Sequence, residues 1–107
     1  MTTFDKREEA FEKKFVIDEE LRFKAVARRN RMLGMWAADQ LGKSGADAEA
    51  YAKDVIAAEF DSTGGAGVIA KVMADLAAKG IPVNESELRA RMDEWLAQSI
   101  AQVKAGL

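Results

Sequence analysis

Apolar residues return at intervals of three and four through most of this chain, no stretch alternates apolar and polar residues for long, and Pro82 is the single proline. That spacing follows the 3.6-residue turn of a helix, whereas a half-buried strand repeats every two. The chain is therefore expected to be all-α, with its breaks written by glycine. Asp18 can cap a first helix from about Glu19 to Leu41, with Gly42 as its stop and Leu21, Ala25, Met32 and Trp36 as an apolar stripe. Gly34 is a weak point in that helix and is read as permitting close packing beside Trp36. Ser44 and Asp47 have the spacing of a capping box, opening a second helix that ends near Phe60 and buries Tyr51, Ala52, Val55 and Ile56.

The run Asp61 to Gly67 breaks the pattern. A third helix resumes it with Val68, Ile69, Val72, Met73 and Leu76, until Gly80 and Pro82 end it. The fourth has the plainest start: Asn84 as cap, Glu87 three residues on, and Val83 placed to staple onto Leu88. Its buried side is expected at Leu88, Met92, Trp95, Leu96 and Val103. Residues 18–107 thus read as a four-helix bundle.

At 107 residues the chain suits one domain that buries roughly two-thirds of its unfolded surface. Cysteine and histidine are both absent, which removes disulfides, thiolate chemistry, the usual neutral-pH base and the commonest zinc ligand. No cofactor or metal is expected, and no pair of carboxylates in an apolar setting marks acid–base catalysis, so the chain is not read as an enzyme. No apolar run approaches the roughly 20 residues that span a bilayer. The expectation is a soluble, cytoplasmic protein without membrane insertion, monomeric when free.

The first seventeen residues do not fit the bundle. Phe4, Phe11 and Phe15 are embedded in a stretch, Asp5 to Lys14, where eight of ten positions are charged. On a helix, positions 4, 8, 11 and 15 share one side, set roughly 60 to 100° from the Leu21–Trp36 stripe. Residues 1–17 are also near the length at which an isolated helix is marginal, roughly 12 to 15 residues. They are read as a mobile amphipathic arm that folds on a partner, with its aromatic ridge as the contact.

Two other clusters invite sharper readings. Arg28, Arg29 and Arg31, with Lys24, could bind phosphates as a small helical nucleic-acid-binding protein would, but a net charge of −2 and the absence of a recognition motif favour a solvated face. Gly64, Gly65 and Gly67 precede a helix with Lys71 one turn on, a weak candidate for a nucleotide phosphate. Lacking a preceding strand and the Gly-Lys-Ser/Thr ending, it is better read as a turn.

Thr3 to Glu8, Phe11 to Phe15, Asp18 to Leu21, Ala27 to Asn30, Leu33-Gly34, Trp36 to Ala38 and Leu41-Gly42 together resemble the zeta-subunit family, ATPase inhibitor subunits of the alphaproteobacterial F-type ATP synthase. The resemblance recurs at Glu49 to Ala52 and at Asp75-Leu76. It implies a four-helix bundle bearing an N-terminal inhibitory segment that inserts between catalytic subunits at the rotor. Phe4, Arg7, Phe11, Lys14 and Phe15 then become candidate contacts with the catalytic head of the synthase. The protein would sit peripheral to the inner membrane through that complex. Ile17 stands where many relatives carry histidine, so no imidazole pH response is expected there.

Overall fold

The computed structural model describes residues 19–60, 62 and 64–107. The arm at residues 1–17 and the Asp18 cap lie outside the described residues. Four α-helices follow: α1 Glu19–Gln40, α2 Gly45–Ala57, α3 Ala66–Ala78 and α4 Glu85–Lys104, with one 3-10 turn, Ala58–Phe60, after α2. Apart from the start of α1, each boundary falls within about three residues of the position expected from the glycine and cap signals. At the end of α1, Gly42 takes φ 76°, letting Lys43 N–H reach the Ala38 carbonyl at 2.8 Å and Gly42 N–H reach Asp39 at 3.1 Å. This double closure satisfies carbonyls that the helix end leaves open.

Helix α1 is the spine, packed by α2 on one side and by α4 on the other, while α3 touches all three. Helix α4 runs antiparallel to α1: Arg28 meets Gln102, Met32 meets Ser99, and Trp36 meets Trp95. The two indoles lie 6.2 Å apart at 55°, within the preferred range for tilted aromatic pairs. Leu33, Val55, Val68, Val72, Leu76 and Leu88 are fully buried. Each contributes on the order of 1.5 to 3 kcal/mol relative to exposure, so this junction holds most of the fold's stability.

Several local expectations need correction. Gly34 faces α2 rather than Trp36: a β-carbon there would lie 2.7 Å from Ala52 Cα. The missing side chain is what lets α1 and α2 approach. Ser44 does not form the expected capping box, because its side chain makes no cap hydrogen bond. Gly45, at φ 55°, turns the chain so that the Ser44 backbone carbonyl accepts from Asp47 and Ala48 instead. The Asn84 cap does form, its side-chain oxygen accepting from Glu87 N–H at 3.2 Å.

The buried face of α1 is also wider than one stripe, since Ala25, Arg29, Asn30, Leu33, Gly34, Ala37 and Ala38 are all buried. Leu21, Met32 and Trp36 are only partly covered. A helix with neighbours on two sides buries two seams, and a single stripe cannot describe it.

Candidate functional site

The candidate partner contacts Phe4, Arg7, Phe11, Lys14 and Phe15 lie outside the described residues. What the structure does describe is the ground they join. Helix α2 runs antiparallel to α1 and is shorter, so it covers the later turns of α1 and leaves the first ones bare. There Glu19, Arg22, Phe23, Val26 and Ala27 line an apolar groove whose far wall is Ile56, Glu59 and Phe60, with Asn30 at its end. Its volume is about 410 Å³. Phe23 is 70% exposed and Phe60 83%, which makes them two of the most exposed large apolar side chains among the described residues. Sequence reasoning missed this pair. Thirty-seven positions separate them, and only the α1–α2 hairpin brings them to one groove.

Beneath the groove is a polar knot. Arg29, placed by sequence on a solvated face, is 7% exposed. Its Nε donates to Asn30 Oδ1 at 3.1 Å, Asn30 Nδ2 donates to Glu59 Oε2 at 3.2 Å, and Arg29 Nη2 lies 3.6 Å from the same oxygen. Burial lowers the Arg29 pKa and Glu59 opposes that shift, while the guanidinium, the strongest base among the side chains, stays charged near neutral pH. A buried charge must be paired, so the knot fixes the position of Glu59 and of the short turn carrying Phe60.

The basic cluster is divided rather than pooled. Arg28 reaches Gln102 and the Leu107 carbonyl, Arg29 turns inward, and Arg31 forks onto Glu49 at 2.8 and 2.6 Å. Lys24 pairs with Glu20 at 3.6 Å. Three guanidinium groups directed to separate partners do not make the continuous basic strip that a nucleic-acid backbone requires.

The glycine turn has structural duties. Gly64 and Gly65 take φ 75° and 88° at the start of α3, and Gly65 is buried against Met92 and Arg29. A β-carbon on Gly67 would fall 2.5 Å from the Ala58 carbonyl oxygen, so the turn packs backbone on backbone. Lys71 is held elsewhere, 3.1 Å from Asp75 Oδ2 and 5.3 Å from the Tyr51 ring centre. Tyr51 O–H donates to the same carboxylate oxygen at 2.8 Å, tying α2 to α3. Burial, then that carboxylate, raises the Tyr51 pKa, keeping the phenol protonated as a donor.

Among the described residues, no group of three or more Asp or Glu side chains could hold a metal ion. Also among them, no helix is long and apolar enough to cross a membrane. The profile of one protein family, described as ATPase inhibitor subunit zeta, matches residues 1–102. A protein of known solution NMR structure is 42% identical, with 81% of this chain and 99% of that one covered and a TM-score of 0.69. No curated protein gives a significant match.

Proposed function

Since the chain belongs to the ATPase inhibitor subunit zeta family, we propose that it is a regulatory subunit that suppresses ATP hydrolysis by the catalytic head of an F-type ATP synthase. Residues 1–17 are the inhibitory element, lodged where catalytic subunits meet the rotor, and residues 18–107 are the body that carries them. The observation that carries this reading is the reach of the family match, which begins at residue 1 and takes in the aromatic arm. On binding, Phe4, Phe11 and Phe15 leave water for an apolar cleft, while Arg7 and Lys14 pair with carboxylates at its rim. The ordering of the arm is offset at that moment by burial of its rings. The protein works by obstruction, needs no cofactor of its own, and associates with the cytoplasmic side of the inner membrane through the synthase.

Phe11→Ala combined with Phe15→Ala tests the role of the ridge. Each buried phenylalanine contributes about 1.5 kcal/mol or more, so the pair should raise the half-inhibitory concentration by about a hundredfold. The body should stay folded, with unchanged helical content. Unaltered potency would reject the ridge as the contact.

A further inference from the structure

We infer that the groove between the first turns of α1 and the end of α2 is the resting dock for the root of the chain's own N-terminal segment, with Phe15 and Phe11 seated against Phe23, Phe60, Val26 and Ile56. The first described residue, Glu19, is itself a wall of the groove, so the preceding segment enters the fold at this surface. Glu19 and Glu20, with the Asp18 cap expected before them, are residue types that favour a helix N-terminus, and a cap at residue 18 would let the preceding chain turn back along α1.

The lengths agree. From Glu19 to Asn30 the groove follows eleven residues of α1, about 16 Å at 1.5 Å per residue. Phe15 and Phe11 precede Glu19 by four and eight residues, which places them about 6 and 12 Å along a returning helix, and at most about 13 and 26 Å along an extended one. Both can lie within the groove. Phe4, fifteen residues back, falls about 22 Å away even on a helix, past the groove's end. A volume of about 410 Å³ is in the range that seats a compact apolar ligand, and Phe23 and Phe60 both stand exposed beside it. The dock thus holds the root of the segment and leaves its tip outside.

This goes beyond the inhibitory reading and is tested first without it. The chain has no cysteine, so Ala57→Cys, at an exposed position beside Ile56, accepts a single nitroxide. In the isolated full chain, NMR should show the amides of residues 11–17 broadened by that label, and Phe11→Ser with Phe15→Ser should abolish the broadening. Absence of broadening would overturn the dock. So would equal broadening of an isotope-enriched copy without nitroxide when it is mixed with nitroxide-bearing copies, which would mean that a second molecule fills the groove.

A second measurement bears on what the dock does, and this one rests on the inhibitory reading. Phe23→Ser with Phe60→Ser should strengthen inhibition roughly two- to fivefold, as expected when a segment docked for half to four-fifths of the time is set free. Unchanged potency would overturn the holding role. Weakened potency would give the groove to the partner instead.

Discussion

The two ends of α1 are parts of one helix with opposite surroundings. Its later turns lie between α2 and α4, where Leu33, Ala37 and Ala38 have no exposed surface and Gly34 admits Ala52 to backbone contact. Its first turns project past the end of α2, and there Phe23 remains 70% exposed. The difference lies in the neighbour, not in the intrinsic apolarity of the side chains. A phenylalanine in the open thus reads as a contact kept for another segment, whereas a leucine in the seam reads as structure.

That contrast can be broken or sharpened by substitution. Leu33→Ala should cost the most, about 3 kcal/mol, by opening a cavity at a site with no free surface, measured by urea unfolding. Gly34→Val should cost about 3 kcal/mol or somewhat less, because α1 and α2 must move apart to admit a side chain; a neutral result would show that their close approach is dispensable. Glu59→Gln keeps the shape of the knot but leaves the Arg29 charge without its carboxylate. With Glu59 partly exposed, the expected loss is about 2 kcal/mol. At the open end, Phe23→Ala in a chain lacking residues 2–17 should change stability by no more than about 0.5 kcal/mol. A larger loss there would erase the distinction between the two ends.

The smallest effect is a pH dependence. Glu49 has its pKa lowered from 4.5, first by its hydrogen bonds from Arg31. A depressed carboxylate contributes stability above its unfolded-state value and loses it as pH falls through the folded one. Melting temperature should therefore decline slightly more in wild type than in Glu49→Gln when the solution is acidified below about pH 4.5. High salt should shrink the difference, since the pair is solvent-exposed.

Most of the helical framework was legible because its signals are local. Apolar spacing, Gly42, Gly80 and the Asn84 cap each act within a turn or two of themselves. Arg29 was misplaced because a single stripe assumes one neighbour, and α1 has two. The exposed pair at the groove could not be read from spacing, since Phe23 and Phe60 meet only through the hairpin. Tyr51, expected on the buried side of α2, and Asp75, met only in the family resemblance, serve the body: their hydrogen bond joins α2 to α3. The resemblance supplied the partner, whereas periodicity supplied only an aromatic ridge in need of one.

The central claim is that inhibition belongs to the arm and stability to the body. Its most direct test is a titration of ATP hydrolysis by the purified synthase head with the full chain and with a chain beginning at residue 18, each checked for helical content and melting. Loss of inhibition with an intact, equally stable body is the predicted result. Equal inhibition by the shortened chain would contradict it.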